Sequence, residues 1–181
     1  NNNNYCDVDF VIAGIGVRPN IKLASDAKLQ INNGIQVDKF CLTSDKAIYA
    51  IGDCSNYKNQ IYNKRVRLES VDNAVTQALI VSRHIMGLPE EINHVPWFWS
   101  NQYNLKLQIA GFNNHADKKI IRGSLDNEKF SIFHLRAKKI ICIEAVNSQK
   151  DFMIGKKLIA LNKEVSIEKL TNNNIDIKSN L

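Results

Sequence analysis

The 181-residue sequence has no CxxC pair, no GxGxxG turn and no apolar run of the ~18 residues that a membrane helix needs. Its cysteines are scattered, which argues against a structural zinc site, a dithiol redox motif and a cysteine-held iron–sulfur cluster. We interpret them as buried, reduced thiols, and we therefore expect a reducing, cytoplasmic compartment. The four are Cys6, Cys41, Cys54 and Cys142.

Histidine is equally sparse. The four histidines have no metal-ligand spacing and no evident carboxylate partners in the sequence, so we predict no metal site. His134 lies on a predicted strand and is interpreted as a structural or exposed residue. The others are His84, His94 and His115.

The composition is that of ordinary globular protein, with 44% apolar and 23% charged residues. The net charge of +6 is uneven: residues 1–94 hold ten basic and ten acidic groups, whereas residues 95–181 hold fourteen and eight. A basic second half could attract an acidic partner. Alternatively, its lysines are simply solvated, because lysine outnumbers arginine throughout the chain.

The first half alternates predicted strands and helices. Apolar runs at residues 8–13 and 47–51 predict two buried strands, and Asn33-Gly34 predicts the turn of a small hairpin. Residues 21–28 predict a short helix, and the polar residues 55–64 predict a loop.

The strongest helix signal covers residues 68–86, ending before Gly87. Apolar residues recur at steps of three and four, and we expect the face they form to be core. Glu69 is expected in the first turn, where a carboxylate suits the helix dipole. The predicted core face consists of Leu68, Val71, Val75, Ala78, Leu79 and Ile85.

Alternating apolar residues in the second half predict about three antiparallel strands with one wet face. A helix over 151–161 follows, and the Asn-rich tail from residue 171 is expected to be loosely held. We predict two units, an α/β unit at residues 1–94 and a small α+β domain at residues 95–181. Paired lysines fall on different predicted elements without adjacent aromatics, so no nucleic-acid binding is expected.

Candidate binding residues follow the predicted strand 47–51. Gly52 would allow a bulky ligand to approach the main chain, and Asp53 could accept hydrogen bonds from sugar-like hydroxyls. Alternatively, Gly-Asp is an ordinary turn. Ser70 and Val71 lie with Glu69 at the start of the long helix, whose free N–H groups could stabilise a negative charge.

Four segments resemble the C-terminal part of the FAD-dependent ferredoxin reductases of Rieske oxygenases and bacterial P450 systems, in the pyridine nucleotide-disulfide oxidoreductase superfamily. They occur in the family's order and span nearly the whole chain. The last is the most specific, because related disulfide reductases differ there. The segments are 9–20 (DFVIAGIGVRPN), 43–53 (ending IYAIGDC), 67–77 (RLESVDNAVTQ) and 95–111 (VPWFWSNQYNLKLQIAG).

The resemblance implies an α/β FAD/NAD(P)-binding portion followed by a small α+β C-terminal domain with an antiparallel sheet. It implies that Asp53 binds the FAD ribitol and that the main chain at Val71 meets the flavin's pyrimidine end. Glu69, with Gly14 and Gly16, would border the nicotinamide. Trp97 and Trp99 would lie between the flavin and a docking surface, although Trp97 could equally fill a core.

The implied reaction carries electrons from NAD(P)H through FAD to a [2Fe–2S] ferredoxin or rubredoxin. It requires no acid, base or nucleophile from the protein. The family's two GxGxxG turns lie upstream of the matching segments, so the resemblance implies a distal fragment. Two alternatives stay open: a relative with another acceptor, such as a nitrite reductase flavoprotein portion or monodehydroascorbate reductase, and a non-enzymatic basic module.

Overall fold

The structure is a computed structural model that describes residues 5–89 and 94–181. Its first half contains a three-stranded sheet in the order β1-β2-β3, in which β1 runs parallel to β2 and β3 antiparallel to it. The elements are α1 (Lys22–Asp26), β1 (Ile35–Gln36), β2 (Ser55–Asn59), β3 (Lys64–Val66) and α2 (Val71–Ile85). Buried Tyr57, Val66 and Leu68 pack with Ile80 of α2 to form its core.

Three local predictions in the first half are wrong. Residues 55–64 are not a loop but contain β2 and the turn into β3, whose pairing buries polar Ser55 and Asn59. Residues 47–51 form no strand, because only the single bridge between Leu42 and Tyr49 pairs this stretch. The predicted hairpin is reduced to one bridge beside the Asn33-Gly34 turn.

The apolar run at 8–13 also forms no strand among the described residues, and Phe10, Val11 and Ile12 are exposed. A buried strand needs neighbouring strands on its edges and cover on its faces. No described segment of this chain provides a neighbouring strand or a covering layer for residues 5–20. The apolar run therefore stays exposed.

The apolar stripe of α2 is exposed rather than core. Val71 is 60% exposed and Val75 is 64% exposed, whereas the face turned inward carries Asn73, Gln77 and Ile80. The helix bounds were nearly correct, since α2 begins after the N-cap Ser70 and ends two residues before Gly87. The expected core face of α2 was wrong, because the buried face carries polar side chains. One of them, Gln77, accepts a hydrogen bond from the main chain at Gly52.

The second half is a five-stranded antiparallel sheet in the order β4-β5-β8-β7-β6, with two helices packed on it. The sequence predicted about three strands where five form, and it gave no signal for β6, whose alternation is interrupted by charged residues. The strands are β4 (Trp97–Gln102), β5 (Leu105–Gly111), β6 (Lys118–Ser124), β7 (Lys129–Arg136) and β8 (Lys139–Val146); the helices are α3 (Gln149–Leu161) and α4 (Ile167–Thr171).

The C-terminal tail is held firmly, contrary to expectation. Leu170 and Ile177 are buried in the core of the second half. The guanidinium of Arg122 donates to the carbonyl oxygens of Asn172 and Ile175, both at 2.7 Å. The Asn-rich composition gives no sign of this order, because Arg122 binds backbone carbonyl groups, which every sequence has.

The two halves meet along the end of β5 and the start of β8. The Tyr62 hydroxyl donates to the Ile141 carbonyl at 2.8 Å, and the Lys64 ammonium lies 4.4 Å from the centroid of the Phe112 ring. Within the described ranges, no helix is long and apolar enough to cross a membrane. All four cysteines are free thiols, but Cys6 is exposed, so the prediction of uniformly buried cysteines is wrong.

Candidate functional site

A tight turn at Gly52–Cys54 is fixed against α2 by a buried amide. The Gly52 N–H donates to Oε1 of Gln77 at 2.6 Å, and the Ser55 hydroxyl donates to the same oxygen at 2.9 Å. Gln77 is fully buried, so this oxygen is shielded from water. Gly52 adopts φ +73°, the left-handed region that favours glycine. Asp53, the middle residue of this turn, is exposed.

Asp53 and Glu69 are brought together by Arg67, which the sequence analysis overlooked. Its guanidinium donates to the Asp53 carbonyl at 3.1 Å and to the Glu69 carboxylate at 2.5 Å. The Asp53 carboxylate itself is exposed and has no partner among the described residues. The basic residue two positions before Glu69 was the signal available in the sequence.

The N-terminus of α2 lies beside this turn. The Ser70 hydroxyl caps the helix by accepting from the Asn73 N–H at 3.1 Å. The N–H groups of Val71 and Asp72 lie in the first turn of α2, where no carbonyl of the helix can accept from them. They therefore remain available to a ligand. Glu69 was expected in the first turn but precedes the N-cap, and Asp72 occupies that turn instead.

Asp72 links the helix start to the second half of the chain. Its carboxylate lies 3.2 Å from Nε2 of His94, which corrects the expectation that the histidines lack carboxylate partners. Burial by itself raises the pKa of Asp72, but His94, Lys156 and the indole of Trp97 together bring that pKa below its usual range. Neither Asp72 nor His94 was a predicted site residue.

Trp97 stands in an aromatic and basic groove. Its ring centroid is 5.2 Å from that of Trp99 and 5.6 Å from that of Phe152, and the Lys156 ammonium lies 5.1 Å from its centre. The groove has a volume of about 790 Å³, and Lys106 and Lys157 also line it. Trp97 is half-buried, so it contributes to the core and also lines the groove.

Gly14 and Gly16 are not brought to this site. Both lie in the exposed stretch 5–20, and no heavy atom of the described residues lies within 4 Å of the position that a side chain would take at either. The predicted residues that do converge are Gly52, Asp53, Glu69, Ser70 and Val71, with Trp97 joined to them through Asp72.

This order of units, an α/β segment and then a five-stranded antiparallel domain, matches two family models. Residues 1–78 match the pyridine nucleotide-disulphide oxidoreductase model, and residues 97–181 match the reductase C-terminal model. The chain belongs to the pyridine nucleotide-disulphide oxidoreductases that carry this reductase C-terminal domain.

Relatives share both sequence and fold with the chain. Rhodocoxin reductase of Rhodococcus erythropolis is 40% identical over 98% of this chain and 42% of its own length. A ferredoxin reductase structure from Rhodopseudomonas palustris is 40% identical, with a TM-score of 0.87 over 92% of this chain and 41% of that one. The covalent putidaredoxin reductase–putidaredoxin complex contains a chain 38% identical, with a TM-score of 0.89 over 94% of this chain and 41% of that one. The chain therefore spans about two fifths of the length of these relatives.

Proposed function

We propose that the chain is the distal part of a flavoprotein oxidoreductase that passes electrons from NAD(P)H through FAD to a [2Fe–2S] ferredoxin or rubredoxin. The names of the similar reductases support this activity. A reducing, cytoplasmic setting fits such chemistry, and the free thiols are compatible with it.

The residues around Gly52 fit one side of an FAD site. Asp53 presents an exposed, unpaired carboxylate, which could accept hydrogen bonds from the ribitol hydroxyls. The main-chain N–H of Val71, at the positive end of α2, would hold the electron-rich pyrimidine end of the flavin. Glu69, oriented by Arg67, would border the nicotinamide. The resemblance implies the same place for Gly14 and Gly16, but in this chain they lie apart from Glu69 in the exposed stretch 5–20.

The observation that carries the proposal is the position of Asp72. Its carboxylate lies in the first turn of α2 and faces His94, Trp97 and Lys156 of the groove. The Asp72 side chain thus lies between the start of α2, which would hold the flavin, and the groove at Trp97, which would receive the electron acceptor. Short separations of this kind are what a protein must provide for electron transfer.

FAD held by these residues would supply the chemistry that links two-electron hydride transfer to one-electron transfer. The residues of this chain bind and orient. Ser70 and Gln77 fix the helix end and the Gly52 turn, and the Trp97 indole donates to the Asp72 carboxylate. No residue need act as acid, base or nucleophile.

The groove is suited to an acidic acceptor. Lys106, Lys156 and Lys157 surround apolar Trp97 and Met153, giving a positive rim around an apolar centre. Positive charges arranged in this way attract an acidic protein to the groove. The attraction weakens as salt screens the charges. The alternative, a non-enzymatic basic module, uses the same groove but needs no exposed carboxylate at Asp53.

The flavin content of the longer natural protein tests the cofactor assignment. We expect Asp53→Asn to lower bound FAD at least about tenfold, because a charge-assisted hydrogen bond contributes about 1.5–3 kcal/mol. Asp126→Asn, which changes an exposed carboxylate in the turn between β6 and β7, is the matched control. Equal flavin content in both variants would contradict the assigned role of Asp53.

A further inference from the structure

Three side chains with metal-binding atoms meet on the face of the five-stranded sheet opposite α3. His134 of β7 pairs in register with Cys142 of β8, and Glu144 lies two residues further along β8 on the same face. Ile143, between them, points the other way and packs beneath Gly155 of α3. One nitrogen, one sulfur and one carboxylate oxygen lie within 4.8 Å of one another.

His134 is only 2% exposed, and its Nδ1 has no hydrogen-bond partner among the described residues. Its Nε2 lies 2.9 Å from the Glu144 carboxylate. A buried imidazole that leaves a polar nitrogen unsatisfied costs free energy. The Glu144 side chain is 30% exposed, so the cluster has an opening to solvent on that side.

We propose that His134, Cys142 and Glu144 form a binding site for a divalent transition-metal ion of the zinc type. Imidazole, thiolate and carboxylate are the donors that Zn²⁺ takes, at about 2.0–2.3 Å. Tetrahedral ligands at such distances lie about 3.5 Å apart, so side-chain rotations within the present cluster are sufficient. Water entering beside Glu144 completes the fourth position.

The surroundings set the conditions for binding. A metal ion takes cysteine as its thiolate, so binding must displace the proton of the buried Cys142 thiol. The amide of Asn113 donates to Glu144 at 3.4 Å and would orient it as a ligand. Exposed Lys119 lies across from His134 in β6. Binding should therefore release a proton and strengthen as pH rises.

Cobalt(II) is the spectroscopic probe for this site in the 181-residue chain. We expect about one Co²⁺ per chain, a thiolate-to-cobalt absorption band in the near ultraviolet, and displacement of Co²⁺ by Zn²⁺. His134→Gln and Cys142→Ser should each abolish the band. Glu144→Gln should weaken Zn²⁺ binding at least tenfold, with circular dichroism checking that each variant is folded.

Two other thiols provide matched controls. Cys41 is buried beneath the other sheet, and Cys6 is exposed. Cys41→Ser and Cys6→Ser should keep the full band. The proposal is overturned by a wild-type chain that gives no band, by a band that survives in Cys142→Ser, or by one that disappears in Cys6→Ser. An unchanged affinity in Glu144→Gln would likewise exclude the three-residue site.

Discussion

The side-chain oxygen of Gln77 is the polar centre of the candidate site. It accepts from the Gly52 N–H and the Ser55 hydroxyl, and all three residues are buried. Gln77→Leu leaves the Gly52 N–H without an acceptor, and we expect a loss of about 1–3 kcal/mol in the free energy of unfolding. Urea denaturation of the chain measures this.

The matched substitution Gln102→Leu places the same change on an exposed position of β4. It should alter the free energy of unfolding by less than about 0.5 kcal/mol. Equal losses in the two variants would show that the buried amide does not hold the turn.

Gly34 is required by close packing under the Asp53 turn. A Cβ there would lie 2.8 Å from the Cys54 carbonyl and 2.9 Å from the Arg67 side chain, at a φ of +125°. We expect Gly34→Ala to cost about 2 kcal/mol more than Gly87→Ala, which also has positive φ but open space around it. Thermal unfolding compares the two, and equal costs would exclude a packing role.

Asp72 makes stability depend on pH. Its pKa in the folded chain is below the ordinary value of 3.8 because His94, Lys156 and Trp97 outweigh the opposing effect of burial. The ionised form therefore adds stability above that value, and this contribution is lost as pH falls through the folded pKa. Asp72→Asn should lower the melting temperature near neutral pH, and the difference from wild type should shrink below about pH 4.

Melting curves between about pH 3 and pH 7 test this, with Asp126→Asn as an exposed control. A difference between wild type and Asp72→Asn that stays constant across this range would contradict the stabilising role of the ionised carboxylate.

At the scale of elements, α2 shows what a sequence pattern can and cannot predict. Gly87 marked its C-terminal end well, because such caps act locally, whereas the predicted start at Leu68 lies three residues before Val71 and the cap Ser70 was missed. The buried face was wrong, because periodicity finds an apolar stripe but not its packing partner. The inward face uses polar Asn73 and Gln77. The strands β2 and β3 were missed for a similar reason, since buried Ser55 and Asn56 gain their hydrogen-bond acceptors only in the folded chain.

Arg122 orders the last element of the chain. Its guanidinium donates to backbone carbonyls from Lys169 to Ile175. Arg122→Lys cannot reach several of them at once, so we expect trypsin to cleave at Lys178 at least about threefold faster. Arg136→Lys, at an exposed position on β7, is the control and should leave the rate unchanged. Unchanged cleavage in Arg122→Lys would show that other contacts hold the tail.

At the scale of the whole molecule, the second half followed its sequence more closely than the first. In most of its strands apolar and polar residues alternate, and most strands pair with a strand next to them in the sequence. The local sequence pattern therefore predicts the contacts that form. The site was partly predictable: Asp53 and Val71 belong to recognisable segments. Arg67, Asp72 and His94 were not, because their roles arise from contacts between separate segments.

The basic groove depends on the folded molecule as a whole, because residues from both β5 and α3 form it. We expect Lys106→Gln combined with Lys157→Gln to weaken binding of an acidic [2Fe–2S] ferredoxin about three- to tenfold at low salt. Lys46→Gln with Lys58→Gln removes the same charge from exposed positions elsewhere. Equal weakening by both pairs, measured by titration at two salt concentrations, would exclude a docking role for the groove.

The visible spectrum of the chain joined to its natural upstream sequence tests the central claim most directly. We expect a bound flavin that loses its visible absorption when NADH is added and then reduces a [2Fe–2S] ferredoxin. We also expect the 181-residue chain alone to release FAD, because it spans about two fifths of its relatives. A folded, colourless longer protein would contradict the reductase assignment and leave the basic groove as a binding module.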